Sequence, residues 1–511
     1  MIELTLAEVA TAVDGRVSPE AAALRVTGPV VIDSRDVTPG ALFVAIRGER
    51  VDGHDFAATA VTQGAVGVIS EREIEGVPSV VVETGVPGSA GVDQPTVVAL
   101  AALAHHVRNA LANTTVVALT GSSGKTSTKD LIAQVLSEFG PTVAATGSRN
   151  NEIGFPLTVL AATHDTRFLV LEMGAREVGH IAMLCRIARP DIALALNVGL
   201  AHVGIFGSPD AVAKAKSEIV AALEPTGIAI LNADDSRTRG MAAVTSARVV
   251  YFGESAHADV WASGVTLDDR ARASFALHHA DRVASVQLQV FGEHQVSNAL
   301  AAAATALVLD CDLDLVAAAL SRATAQSPMR MDVTTTPDGV IVINDAYNAN
   351  PSSMRAALKA LVAMGKGKRT FAVLGEMREL GDLSVREHDE IGRLAVRLNV
   401  SQVIAVGDGA RVLHLGAANE GSWDQESVWV PDAVAAVAYL GAHVAPGDVV
   451  LVKASRAIGL EAVCDALSRP GFTSRAGGSG ETETRASGFG DATSPVSTDL
   501  GDGRDLEGEH A

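Results

Sequence analysis

The segment 115–126, TVVALTGSSGKT, constrains this chain more than any other. A buried-strand run, Val116 to Leu119, breaks abruptly into small residues, a lysine and a threonine. Leu131, Ile132, Val135, Leu136 and Phe139 then recur at helical spacing. Strand, glycine turn and helix thus follow in the order that a phosphate cradle needs. Gly121 and Gly124 leave backbone N–H groups unobstructed by a Cβ, and a helix starting near Lys125 adds roughly half a positive charge at its N-terminus. Lys125 is placed for the β- and γ-phosphates and the Thr126 hydroxyl for Mg²⁺, with Thr120, Ser122 and Ser123 completing the loop. The pattern departs from G-x-x-x-x-G-K at its first position, where Leu119 stands. The flanking strand and helix therefore carry the reading of nucleotide binding against that of an ordinary Gly/Ser turn.

A chain of 511 residues has room for about three domains of about 150 residues each. Apolar residues make up 48% of it and aromatic ones only 4%, which suits α/β layers packed from small side chains. The net charge of -20 excludes general nucleic-acid binding, because the bulk of the surface would repel a phosphate backbone. An anionic substrate must then be met by local Lys, Arg and helix N-termini. Cys185, Cys311 and Cys464 are few, odd in number and far apart, which argues against a disulfide framework and fits a reducing cytosol. The acidic N-terminal stretch is unlike a signal peptide, and no apolar run reaches the about 18 residues of a membrane helix. These features lead us to expect a soluble cytoplasmic protein without a membrane span.

Residues 1–112 read as a first α/β domain. Asp33, Ser34 and Arg35 follow one of its strands, and RGERVDGHDF, which includes His54, follows the next. Both loops read equally as donors for an anionic ligand and as solvated turns. A helix over 95–111 leads into residues 113–328, where long apolar runs and long crossings follow the grammar of a mainly parallel sheet. Ligands bind at strand C-termini in such sheets. The strand over 168–171 delivers Glu172, a candidate Mg²⁺ ligand or a helix-capping acid, and the strand over 192–196 delivers Asn197. Beyond it come His202 in a loop and a helix capped by Ser208, whose Lys214, Lys216 and Glu218 read by themselves as an exposed face. Strands over 228–231 and 286–291 follow, the latter leading to GEHQVSN, where His294 and Asn298 either face a purine or satisfy a helix end.

Residues 329–468 read as a third α/β unit with a Rossmann-like layout. Its strands also end in polar residues, among them Asp345 with YNANP, and Lys453 with ASR. No G-x-G-x-x-G follows its first strand, so the layout alone names no ligand. Residues 469–511 read as a disordered acidic tail: from Gly471 on there are eight acids, three arginines and almost no aliphatic side chains.

Together the phosphate loop, Glu172, the His202 to Lys216 stretch and YNANP resemble the Mur ligase family of ATP-dependent amino-acid and peptide ligases, up to about residue 468. Five segments, DSRDVTPGALFVAIRGERVDGHDF, RNNEIGFP, LEMGA, AKSEI and NDAYNANP, look most like the member that attaches the last dipeptide to the peptidoglycan precursor. The family's T-G-x-x-G-K-T loop accounts for Leu119. The resemblance implies ATP and two Mg²⁺ ions, with Lys125, Glu172, His202 and Lys216 as the catalytic set. One ion would be held by Thr126 and Glu172, the other by His202 and a carbamylated Lys216, since a carbamate turns a repelled cation into an anionic ligand. Asn298 would approach adenine, and Arg330 and Asp345 the ribose or phosphates. Asp33, Ser34, Arg35 and His54 would line a uridine-diphosphate pocket, Asn150 and Asn151 would hold the growing peptide, and Lys453, Ser455 and Arg456 the incoming dipeptide.

The implied substrates are ATP, a UDP-N-acetylmuramoyl tripeptide and D-alanyl-D-alanine. They would be joined through an acyl phosphate by a monomer serving cell-wall synthesis, and with it cell shape and division. Closure of the third domain over the second is implied, with hinges near residues 112 and 329. The alternatives are another Mur-type amino-acid ligase, although the D-N-P-R segment usual in the third-residue-adding member is absent here, and a P-loop NTPase or kinase.

Overall fold

The computed structural model describes residues 1–83, 94–421 and 426–473. In the first unit, β1 (Arg16–Val17), β2 (Val30–Val31), β3 (Leu42–Val44), β4 (Gly67–Ser70) and β5 (Ser79–Val81) form one sheet in the order β1-β5-β4-β3-β2. All its neighbours are parallel except β1 and β5. Helix α1 (Pro95–Ala110), started by a proline whose missing N–H an N-terminal turn does not need, carries the chain onward. It buries Leu100, Leu103 and Val107 in a cluster that runs unbroken from Leu6 and Val9 of the first unit to Val116 and Leu169 of the second. The two units thus share a core, and position 112, expected to be a hinge, sits at an anchored joint.

The central sheet contains β6 (Thr115–Thr120), β7 (Thr142–Ala144), β8 (Phe168–Glu172), β9 (Ile192–Ala195), β10 (Ile228–Asn232), β11 (Arg248–Gly253), β12 (Val260–Leu267), β13 (Arg272–His279) and β14 (Arg282–Phe291). Their order is β14-β13-β12-β11-β10-β9-β6-β8-β7. On one face lie α2 (Lys125–Ser137) and α6 (Gln295–Leu307), and on the other α3 (Gly154–Leu160), α4 (His180–Ala188) and α5 (Pro209–Ala221). Val116 and Ala118 accordingly point into one cluster, Val117 and Leu119 into the other.

The parallel pattern stops at β12. From there β12 to β14 form an antiparallel meander, so the segment 286–291, read from sequence as one more parallel strand, is the end of an edge strand. The connections, 268–271 and 280–281, are too short for a parallel crossover, and burial alternates along β13 as in a sheet with one wet face.

The third unit holds β15 (Asp332–Thr335), β16 (Ile341–Asn344), α7 (Pro351–Met364), β17 (Thr370–Leu374), β18 (Gln402–Val406), β19 (Ser427–Val430) and β20 (Val449–Lys453). The sheet order is β15-β16-β20-β17-β18-β19, antiparallel only between β15 and β16. Helix α7 starts as YNANP dictates: Asn350 and Ser353 form a capping box and Pro351 takes the first helical position. Packing continues past residue 468. The Asp338 carboxylate accepts N–H bonds from Gly471 and Thr473, both at 3.0 Å, and Phe472 is buried with Val340, Leu440 and Leu467. The folded unit therefore includes residues that the sequence assigns to the tail, while residues 474–511 lie outside the described ones.

Truncation separates the two parts. Removing residues 471–511 should lower stability by about 2 kcal/mol relative to removing 474–511, the contribution of one buried phenylalanine. Thermal melts of the two truncated chains check this, and equal melting temperatures would mean that Phe472 contributes nothing.

Candidate functional site

Strand register builds the site. Parallel pairing sets Leu119 beside Glu172 and Thr120 beside Ala195, so the loop after β6, the last residue of β8 and the residues after β9 meet at one sheet edge. Two residues past β9, Asn197 reaches the loop. Its Oδ1 accepts from the Ser122 and Ser123 N–H groups at 3.0 and 2.9 Å, and its Nδ2 donates to the Ser123 carbonyl at 3.1 Å. Gly124 has φ +78°, and a Cβ there would stand 2.6 Å from Asn298 Oδ1. Only glycine meets both demands. The N–H groups of Lys125 and Thr126 open α2 and lack intrahelical partners, which leaves them for an anion.

Two lysines, the half-buried Lys125 and the buried Lys216, converge beneath this loop. Lys125 Nζ donates to the Gly121 carbonyl at 2.9 Å, and Lys216 Nζ, from α5, donates to the same oxygen at 3.1 Å. Lys216 is 3% exposed, whereas Lys214 on the same helix is open to solvent. The reading of this helix as an exposed face thus fails at Lys216. Burial lowers the Lys125 amine, and burial together with the Lys125 charge takes Lys216 well below the ordinary lysine value. Glu218, two residues on, accepts N–H bonds from Gly179 and Ala182 at 2.6 and 2.9 Å and so clamps α4 to α5.

Glu172 is 1% exposed. Its Oε2 accepts from Thr126 Oγ1 at 2.8 Å, and its Oε1 accepts from Ser148 Oγ at 2.9 Å and Asn150 Nδ2 at 2.6 Å. A buried carboxylate touching the loop threonine is a hard-oxygen pair of the kind that holds Mg²⁺ beside phosphates. Among the described residues no three His, Cys, Asp or Glu side chains form a metal cage. Asn151 faces away from this cluster: its Oδ1 accepts from Gly154 N at 2.9 Å and caps α3.

The third unit supplies the opposite wall of a cavity of about 890 Å³ that also takes in the phosphate loop, Glu172, Asn150 and Asn151. Arg330 lies over the Tyr347 ring at 4.0 Å. Asp345 accepts from Met331 N at 3.1 Å and from the buried Lys453 Nζ at 2.6 Å, and Lys453 also donates to the Asn348 carbonyl at 2.7 Å. Ser455 Oγ accepts from Arg378 N at 2.9 Å, and Arg456 pairs with Glu461 at 3.1 Å. Lys453, expected at the dipeptide, is engaged within its own unit while it lines the cavity together with Arg330, Arg378, Ser455 and Arg456.

The units touch across the cavity. Asn350 Nδ2 donates to the Ser122 carbonyl at 3.3 Å, and Gly204 N donates to the Glu379 carbonyl at 2.9 Å. A Cβ at Gly204 would lie 2.4 Å from Gly381 N. His202, at φ 62°, turns its Nδ1 to the Glu379 carboxylate, and this bond holds the Glu379 carboxyl below the usual range. His202 and Lys216 are not hydrogen-bond partners: one faces the third unit, the other lies beneath the loop.

Asn298 is buried at the first turn of α6, where its Nδ2 donates to Gln295 Oε1 at 2.8 Å and its Oδ1 accepts from Thr128 at 3.1 Å. It therefore holds α6 against α2 while lining the cavity. The neighbouring His294 has a buried Nδ1 without a hydrogen-bond partner among the described residues. The first-unit candidates lie outside this cavity. Asp33 accepts from Arg35 N at 2.9 Å and pairs with its guanidinium, which lowers the carboxyl to about 2, and Ser34 lies between them on the same short helix. His54 differs from expectation. It is 4% exposed, its Nδ1 meets Asp52 at 2.6 Å and its Nε2 accepts from Glu71 N at 2.9 Å, so its ring serves the fold.

Comparison with known proteins gives a consistent result. The models of the Mur ligase family catalytic domain, the Mur ligase middle domain and the Mur ligase glutamate ligase domain match residues 29–111, 119–306 and 329–456. The chain is 49% identical over 500 residues to the UDP-N-acetylmuramoyl-tripeptide–D-alanyl-D-alanine ligase of Mycobacterium tuberculosis, covering 91% of this chain and 98% of that one. To the ligase of the same name from Escherichia coli it is 34% identical over 476 residues, covering 92% and 100%. Among solved structures, MurF from Acinetobacter baumannii superposes with a TM-score of 0.80 at 32% identity, covering 91% and 99%. MurF ligase from Thermotoga maritima in complex with ADP superposes with a TM-score of 0.72 at 30% identity, covering 88% and 99%.

The glycine in the loop gives a direct test. Gly124→Ala should weaken ADP binding by about five- to a hundredfold, because the left-handed backbone and the Asn298 contact together strain the loop by about 1–3 kcal/mol. Calorimetric titration checks it, and an unchanged Kd would rule out the loop as the nucleotide site.

Proposed function

This chain belongs to the Mur ligase family, and we propose that it joins D-alanyl-D-alanine to a UDP-N-acetylmuramoyl tripeptide at the expense of ATP. The observation that carries the reading is the single cavity in which a phosphate loop, a buried carboxylate and a wall of arginines from another unit face one another. The chemistry requires such a place. A carboxylate is a poor electrophile, so its attack on the γ-phosphorus of ATP, with ADP leaving, makes an acyl phosphate. The neutral amine of the dipeptide then attacks the acyl carbon, phosphate departs and the amine loses a proton.

Each step gives the residues a task. Lys125 and the first-turn N–H groups of α2 hold the phosphates and lower the repulsion between two anions. Arg330 adds a second cation from the opposite wall, near enough to lower the Lys125 amine. Thr126 and Glu172 would hold Mg²⁺, which supplies Lewis-acid neutralisation of the phosphate oxygens. Contacts such as Asn350 on Ser122 and Gly204 on Glu379 keep water from the acyl phosphate. The unsatisfied His294 Nδ1, together with Asn298, supports a purine site.

Lys216 is proposed to work as a carbamate. Its amine is buried, and burial with the Lys125 charge shifts it toward the neutral form, which is the form that attacks CO₂ to give Lys–NH–CO₂⁻ and a proton released to solvent. The product is an anion beside Lys125, where an ammonium would be repelled, and it could share a second Mg²⁺ with His202 once that ring leaves Glu379. We assign Asp33, Ser34 and Arg35 to the uridine diphosphate, and Arg378, Ser455 and Arg456 to the dipeptide.

Two outcomes test the proposal. Phosphate release should require both the nucleotide-sugar tripeptide and D-alanyl-D-alanine, and release without the dipeptide would favour a simple NTPase. Lys216→Ala should lower kcat by at least about a hundredfold, as expected for loss of a group that stabilises charge in the transition state. Activity unchanged in CO₂-depleted buffer would eliminate the carbamate.

A further inference from the structure

Lys129 stands outside every contact described so far, yet it is among the most deeply buried charged side chains of the protein, with no exposed surface. It lies on α2, one turn beyond Lys125. Its Nζ donates to the carbonyls of Ala145 and Gly147, the latter at 2.9 Å, and pairs with the Asp130 carboxylate at 2.9 Å. The ammonium thus has three oxygen partners and all three of its donors can be used. A lysine buried this completely is costly to keep unless its bonds are made, and two of those bonds go to the main chain of one loop.

That loop leads directly to the substrate side of the site. One residue after Gly147 comes Ser148, whose hydroxyl donates to Glu172, and then Asn150, which donates to both Ser148 and Glu172. Asn151 follows and caps α3. Gly147 has φ +69°, with nothing within 4 Å of the place a Cβ would take, so the loop is not held there by packing. Lys129 holds its start and the Asn151 cap its end, and between them Ser148 and Asn150 bond to Glu172 and the Asn150 carbonyl accepts from Gly174 N at 3.0 Å.

We propose that Lys129 is a positioning residue: it ties the helix that receives the nucleotide phosphates to the loop over 145–151, and so sets Ser148 and Asn150 for the carboxylate-bearing substrate. The inference rests on the functional reading above, because it assigns the loop to the tripeptide. Carbonyl oxygens are the only groups of Ala145 and Gly147 that Lys129 contacts, so what it contributes is the path of the backbone. The phosphate loop has a clamp of its own, Asn197, which bonds to Ser122 and Ser123.

Lys129→Met keeps the length of the side chain and removes the donors. It should raise KM for the UDP-muramoyl tripeptide about tenfold, the effect of losing hydrogen bonds to a charged donor, and leave KM for ATP within about twofold. Deuterium uptake over 145–151 should rise in this variant while uptake over 121–126 stays as in the parent. Lys129→Arg, which restores charge and donors, should recover most of the tripeptide KM. A parallel rise in both KM values, or no change in either, overturns the proposal. Should Lys129→Met not fold, Lys129→Gln carries the same comparison of the two KM values. If the parent protein itself fails to ligate these substrates, the functional reading falls rather than the role of Lys129.

Discussion

The parallel register of three central strands is the constraint on which the rest of the molecule depends. With Leu119 beside Glu172 and Thr120 beside Ala195, a lysine-bearing loop, a buried acid and Asn197 emerge at one edge. A slip of one residue would reverse the faces of Val116 to Leu119 and exchange their two hydrophobic clusters. Core packing on both faces therefore fixes the geometry of the site, and no polar residue at the edge needs to specify it.

From that edge the site is assembled by borrowed carbonyls and amides. Gly121 offers its oxygen to two lysines, Ser122 and Ser123 offer their N–H groups to Asn197, and Glu172 collects three donors. Such a network orders ionic side chains without a metal, and each bond is one that a phosphate or cation can replace with a stronger one. The first unit adds rigidity through α1, whereas the third meets the second through small residues, Gly199, Gly204 and Gly381, whose backbones approach closely because no Cβ intervenes. Both joints also carry buried apolar contacts, since Val203 and Ala271 of the second unit pack into the third unit's cluster beside Met331 and Ile343.

Much of this was legible in the sequence where chemistry and pattern coincide. The loop at 120–126, the strand leading to Glu172 and the helix start at Pro351 each combine an apolar run with a residue type that serves only a few purposes. Lys216 escaped a reading by composition, since Lys214 and Lys216 look alike in a helix and only packing tells that one of them is buried. The antiparallel meander escaped because the strand at its end has the same apolar run that a parallel strand has. His54 misled for the opposite reason: a histidine in a polar loop suggests a ligand, but Asp52 and the Glu71 N–H had already claimed both nitrogens. Phe472 shows that a polar, glycine-rich stretch can contain one residue that packs. Glu379 and Lys129 gave no signal, because His202 and the carbonyls of residues 145 and 147 are more than a dozen residues away from them.

The distribution of charge explains how a protein with a net charge of -20 can gather polyanions. Its surface repels them at long range, although about 10 Å of screening confines that repulsion at ordinary ionic strength. Inside the cavity the balance is reversed. Lys125 and Lys216 share one carbonyl, and Arg330 arrives from the third unit close enough to depress the Lys125 amine. Glu172 acts on Lys125 as a counter-charge, while Arg330 and Lys125 repel one another, as do Lys125 and Lys216. Phosphates placed between them add an attraction to each cation that offsets the repulsion among them. Phosphates between the two walls would therefore strengthen the juxtaposition of Arg330 and Lys125 that the structure already shows.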